Sequence, residues 1–161
     1  QKELDSLANE VKSISRESDS STPKVFFFKG KEGIEQINKY YFKNSKPNSS
    51  SFVFTDREKV KEIIPKAFEQ HRANRLKKKI SSKGIAYDVS GQQRDDPKLR
   101  KEVRLIDFRP AAEITIQEKF VMFATYNKNN HVSVVVESAE IAKSLQQLYE
   151  LAWKSLPPTS K

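Results

Sequence analysis

The stretch 104–136, RLIDFRPAAEITIQEKFVMFATYNKNNHVSVVV, constrains the fold of this chain more than any other. Three apolar runs of strand character, at 114–116, 120–126 and 132–136, are separated only by Gln117-Glu118-Lys119 and Asn127-Lys128-Asn129-Asn130. Polar turns this short force antiparallel neighbours, so the runs predict a meander. A meander must bury at least one face, and the helical segments before and after it are its predicted cover.

Upstream, KVFFFK at 24–29 has the length and flanks of a buried strand. It runs through Gly30 and Gly33 into an amphipathic helix with Ile34, Ile37, Tyr40 and Tyr41 on one side. The glycines permit a tight turn, or present backbone N–H groups to an anion. SFVFT at 51–55 reads as a second buried strand, and two strands joined through a helix predict a right-handed βαβ unit. Thr55 or Asp56 can cap the next helix, whose Val60, Ile63, Ile64, Ala67 and Phe68 should face the core, with Pro65 kinking or splitting it. GIAYDV at 84–89 is a third strand. Residues 91–100 form a polar loop with room for a short helix after Pro97, and 103–108 leads into the meander. Ser138 caps a last helix with Ile141, Ala142, Leu145, Leu148, Tyr149, Ala152 and Trp153 in a stripe wide enough for a well-buried helix, ended by Pro157 and Pro158. The expected class is α/β, a mixed sheet flanked by helices.

Ahead of this unit, Leu4, Leu7, Val11 and Ile14 are spaced three, four and three apart, as in a coiled coil. They predict a dimerising helix; the alternative is an amphipathic helix packed on its own domain. A serine-rich segment then isolates it. The expected organisation is a dimerising helix at 1–17, a linker at 18–23, a regulatory domain at 24–156 and a tail at 157–161.

Composition removes several classes of function. No cysteine excludes disulfides and thiolate metal sites, and with only His71 and His131 no histidine metal site is expected, nor any cofactor. No apolar run reaches a membrane span and the first residues are unlike a signal peptide, so a cytoplasmic protein with no membrane contact is expected. A chain that starts at Gln1 reads as a fragment of something longer. The net charge of +9 suits an anionic partner. Its densest part is Arg72, Arg75, Lys77, Lys78, Lys79 and Lys83, with no acidic residue between Glu69 and Asp88. These six either contact nucleic acid or match the dipole of a solvated helix end. There is no nucleophile elbow, no P-loop and no His-Glu-x-x-His, and Asp95-Asp96 sits beside Arg94 and Lys98 as a charge-balanced surface. No enzymatic activity is expected.

The strings KVFFFKGKEGIEQI, KEVRLIDF, ITIQEKFVMFATY and HVSVVVESAEIAKSLQQLYELAW, in that order, resemble the C-terminal half of TrmB-type transcriptional regulators, a sugar-sensing family best represented in archaea. The resemblance runs from the first helix to Trp153. It implies a phospholipase-D-like domain behind a dimerising helix, with a winged helix-turn-helix, missing here, in front. Phospholipase D enzymes carry His-x-Lys-x-x-x-x-Asp, in which the histidine attacks phosphorus and the lysine holds phosphate oxygens. The resemblance puts Pro110, Ala112 and Gln117 at those positions, and neither His71 nor His131 has a lysine two residues on.

The implied role is effector sensing and dimerisation without catalysis. The expected partners are a second copy, DNA through the missing domain, and a small-molecule or anionic effector. Candidate effector contacts are Arg104, Arg109 and Lys119, with Thr125, Tyr126 and Asn127 at the same end; each has an alternative in surface ion pairing or turn formation. The chain ends soon after Trp153, without the extra sugar-binding domain of some members, so a sugar is not assumed. Two other readings stay open: a nucleic-acid-binding module using the basic run, and a dimerisation scaffold with an empty cleft.

Overall fold

A computed structural model describes residues 22–159. The heptad residues Leu4, Leu7, Val11 and Ile14 lie outside them. The elements run β1 (Lys24–Lys29), α1 (Gly30–Asn44), β2 (Ser50–Asp56), α2 (Arg57–Ile63), α3 (Pro65–Lys77), β3 (Ser81–Tyr87), a 3-10 turn (Pro97–Leu99), β4 (Lys101–Leu105), β5 (Glu113–Ile116), β6 (Phe120–Thr125), β7 (Val132–Glu137) and α4 (Ala139–Ser155). The strands form one seven-stranded sheet in the order β1-β7-β6-β5-β2-β3-β4. β5, β6 and β7 make the expected meander, pairing Ile114 with Phe123 and Phe123 with Val134. The class is α/β with a mixed sheet, because β2 pairs parallel with β3 and antiparallel with β5.

Alternation along the strands sorts the two faces. On one face Phe52, Phe54, Ile85, Ile114, Ile116, Val121 and Phe123 pack under α4 through Ala142, Tyr149 and Trp153. On the other, Phe120, Met122 and Val135 meet Ile37 and Tyr41 of α1. Helix ends follow the sequence. The Asp56 side chain accepts from the Lys59 amide at 3.0 Å, Ser138 Oγ accepts from the Ile141 amide at 3.3 Å, and Pro65 divides α2 from α3 by opening the second helix.

Three expectations are corrected. KVFFFK is not buried: among the described residues β1 is an edge strand pairing only with β7, and Val25 and Phe27 are largely exposed. Its apolar content matched a central strand, yet edge position is decided by topology. β1 and β2 are also no adjacent βαβ pair, since β7, β6 and β5 lie between them; the adjacent parallel pair is β2 and β3, joined through α2 and α3. Finally, Ile141, Leu148 and Ala152 of the α4 stripe are exposed, because one helix covers a narrower arc of sheet than the stripe offers.

Gly30 and Gly33 serve the turn into α1 for separate reasons. Gly30 holds φ +67°, and its amide donates to the His131 carbonyl at 2.9 Å, so it is not offered to an anion. A Cβ at Gly33 would lie 2.9 Å from the Phe28 carbonyl carbon, so a side chain there would drive helix and strand apart.

Candidate functional site

Of the residues expected to face the core from α2 and α3, only Val60 is buried. Ile64, Ala67 and Phe68 instead line a cavity of about 610 Å³ between these helices, α1, the loop 92–99 and the sheet. The helices stand off because the strand face beneath them is polar. Alternation puts Ser51, Val53 and Thr55 of β2, Ser82 of β3, and Glu113 and Thr115 of β5 on that side, while Phe52 and Phe54 go to the other. The volume is that of a site for a small molecule.

Charge is unevenly matched around it. Arg57, Lys61, Arg72, Arg75, Arg94 and Lys101 line the cavity against four carboxylates, Glu69, Asp95, Asp96 and Glu113. Glu69 is paired with Arg72. Both oxygens of Glu113 are occupied, accepting from Thr55 Oγ1 at 2.5 Å and from the Tyr126 hydroxyl at 3.1 Å. Burial and that carboxylate push the Tyr126 hydroxyl well above its ordinary pKa, so it stays a donor.

Arg57, the first residue of α2, lies with its guanidinium 5.2 Å from the Phe68 ring centroid. Among the described residues no carboxylate comes within ion-pair distance of it. Burial pulls it below the ordinary arginine range, and the charge of Glu113 offsets this only in part. Lys101 is held below the ordinary lysine range by burial and then by Arg57 itself, so like charges crowd one another here. Lys101 is left with Gln93 Oε1 at 3.2 Å. On the floor, the hydroxyls of Ser82 and Thr115 line the cavity.

His71 forms part of the wall, against the rings of Tyr41 and Phe42, with Nδ1 2.8 Å from Asn38 Oδ1. Burial, then the charges of Arg57 and Arg75, push its pKa from 6.5 down to about 3. The imidazole is therefore neutral, and Nδ1–H donates to Asn38. Because the unfolded chain binds this proton near pH 6.5 and the folded chain only near 3, stability falls as pH drops through that window. Moving from about pH 7 to about pH 5 should cost about 2 kcal/mol through this group. Urea midpoints at the two pH values, for the protein and for His71→Gln, check it; an equal acid loss in both would show that His71 protonates freely in the fold.

The candidate contacts named from sequence do not gather in one place. Tyr126 lines the cavity, as described. Arg104 lies on the α4 face, donating to the carbonyls of Trp153 and Leu156 and stacking 4.5 Å over the Trp153 ring, which ties down the end of α4. Arg109 pairs through Nε with Asp56 Oδ2 at 2.7 Å. Burial works against ionising Asp56, but Arg109 and the Lys59 amide outweigh it and hold its carboxyl below the usual range. Thr125 and Asn127 are exposed at the same end of β6 as Tyr126, whereas Lys119 sits in the β5–β6 turn at the opposite end. Pro110 and Ala112 line a hollow of only about 10 Å³ beside Asp56, and Gln117 Nε2 donates to the Tyr41 hydroxyl at 2.7 Å.

The basic run is likewise dispersed. Arg72 is paired with Glu69, Arg75 is buried, Lys78 donates to the Phe42 carbonyl, and Lys83 lies on the far face over Trp153, which leaves Lys77 and Lys79 exposed. Sequence reading missed Arg57, Glu113, Ser82 and Thr115. The signal that could have found them was the polar alternate positions of β2 and β5.

No protein-family model matches the sequence, and no curated protein does. Solved structures do share the fold. Nuc from Salmonella typhimurium, a phospholipase D family member, is similar at a TM-score of 0.60 with 14% identity over 84% of this chain and 97% of its own. TrmBL2, an archaeal chromatin protein described with a novel mode of DNA binding, is similar at 0.58 with 10% identity over 96% of this chain and 62% of its own. Phosphatidylserine synthase from Haemophilus influenzae is similar at 0.52 with 11% identity over 81% of this chain and 38% of its own. The fold is thus phospholipase-D-like. The expectation that the chain is not an enzyme is overturned by the same neighbours: this architecture houses a phospholipase D family member and a synthase, so missing motif residues do not exclude catalysis. Among the described residues no helix is long and apolar enough to cross a membrane.

Proposed function

We propose that this chain is the effector-sensing and dimerisation domain of a TrmB-type DNA-binding regulator, with the effector held in the cavity beneath α2 and α3. The observation that carries the reading is that cavity, about 610 Å³, lined by apolar side chains of α1, α2 and α3 and by a surplus of cations over carboxylates. Its roof is α2 and α3, two short helices split at Pro65, so a ligand that binds one arrangement of them better shifts their position. Likeness in fold to a DNA-binding archaeal protein supports the DNA partner. The heptad spacing of Leu4, Leu7, Val11 and Ile14 supports the dimer, and so does β1, whose Val25 and Phe27 are left exposed by the described residues.

A thermal-shift screen of the 161-residue chain against neutral sugars, sugar phosphates, nucleotides and short duplexes, at low and high salt, tests the reading. One class of small molecule should raise the melting temperature at both salts, and a ligand at a hundred times Kd should add about 2.7 kcal/mol. A shift with duplex DNA alone, lost as salt rises, would replace the reading with direct nucleic-acid binding. No shift with any small molecule would overturn it.

A further inference from the structure

A half-buried arginine with no counter-ion is costly, because the charge loses water and gains nothing that replaces it. Among the described residues Arg57 has no carboxylate at ion-pair distance, the charge of Glu113 offsets its burial only in part, and Lys61, Arg75 and Lys101 line the same space. The one carboxylate on the cavity floor, Glu113, has both oxygens taken by hydroxyl donors. The other floor hydroxyls, on Ser51, Ser82 and Thr115, are able to donate. The walls are a different chemistry, with Ile34, Ile37, Val53, Ile64, Phe68 and Met122.

We propose that the cavity binds a small organic oxyanion, a carboxylate or phosphate monoester with an apolar body, its charge on Arg57 and its body against Ile64, Phe68 and Met122. This deepens the effector-binding reading and rests on it. Arg57 is the specificity-determining residue. Its guanidinium already lies against Phe68, so its fork is oriented before the ligand arrives and little side-chain freedom is lost on binding. His71, a neutral member of the wall beside Asn38, adds no charge of its own, so the anion is left to the cations around Arg57. Such a ligand would give Arg57 the counter-charge it lacks among the described residues, and a neutral ligand of the same shape would not.

The test measures affinity and thermal shift for hexanoate, glycerol 3-phosphate, inorganic phosphate and glucose, with the full chain and with Arg57→Met and Arg57→Lys. Hexanoate or glycerol 3-phosphate should raise the melting temperature, and which of them does so identifies the source of the anion. Inorganic phosphate, lacking the body, should bind more weakly. Arg57→Met should lose about 10- to 100-fold in affinity for the bound anion. It should melt no lower than the parent when empty, since it removes an unmatched charge. Arg57→Lys keeps a charge without the fork and should fall between; if the Met variant fails to fold, this variant alone decides, and unchanged anion affinity in it overturns the assignment to Arg57. Anion binding undiminished in Arg57→Met also overturns it. A shift with glucose but with neither organic anion would overturn the oxyanion while leaving effector sensing in place, and no shift with any probe would overturn both.

Discussion

Replacing Arg75 by methionine should destabilise the protein by about 3 kcal/mol, a fall of about 6–12 °C in melting temperature for a chain of this size. Arg75 is 6% exposed and its guanidinium joins two segments distant in sequence. Nη1 donates to the Ile80 carbonyl at 2.6 Å, Nη2 to the Leu99 carbonyl at 2.7 Å, and Arg100 O lies at 3.5 Å from Nη1. Methionine fills similar space but leaves those carbonyls without a donor. Burial holds Arg75 below the ordinary arginine range, so part of the loss is returned when the charge goes, and the estimate is set below the sum of two charge-assisted bonds. Lysine should recover less than half, because one ammonium cannot fork to both the Ile80 and the Leu99 carbonyls.

The same substitution separates two functions for the basic run. If Arg75 were a phosphate contact, Arg75→Met would weaken DNA binding and leave stability nearly unchanged. The geometry requires the reverse, read out as a lower urea midpoint and as lost amide protection at Ile80, which donates to the Arg75 carbonyl, and at Ser82, which donates to Arg100. A variant within about 1 kcal/mol of the parent would show that the three carbonyl contacts contribute little.

The order of strands and helices was legible because local chemistry carries it. Two polar turns fixed the meander, Asp56 and Ser138 announced helix starts, and Pro65 announced a break. Position within the sheet was not legible, because KVFFFK and SFVFT have similar composition and only pairing decides that one lies at the edge and the other in the interior. The site was misread for a related reason. Arg104 and Lys119 drew attention as cations near the meander, yet strand alternation sends Arg104 to the α4 face, and the β5–β6 turn carries Lys119 to the far end. Arg57 was passed over as the residue after a helix cap. Its meaning depends on α2 and α3 standing off a serine- and threonine-bearing face, which is a tertiary fact.

The largest loss of stability is expected from Phe120→Ala, about 3–5 kcal/mol. Phe120 is 1% exposed at the start of β6 and meets Tyr40 edge-on at 5.3 Å and Tyr41 at 6.1 Å between ring centroids. Tyr41 in turn accepts from Gln117, so the cavity left by the ring also loosens the hydrogen bond that seats the β5–β6 turn. The comparison that gives the number meaning is Phe27→Ala, the same side chain removed from a strand of the same sheet. Phe27 is 67% exposed, so its removal should cost no more than about 0.5 kcal/mol if solvent is its surroundings. Chemical denaturation of the two variants side by side measures both. A loss of several kcal/mol at Phe27 would mean that it is covered in solution, and the cover would have to come from residues 1–21 or from a second copy. Repeating the Phe27 measurement over a range of protein concentrations then decides between these, since only cover by a second copy makes the loss depend on concentration.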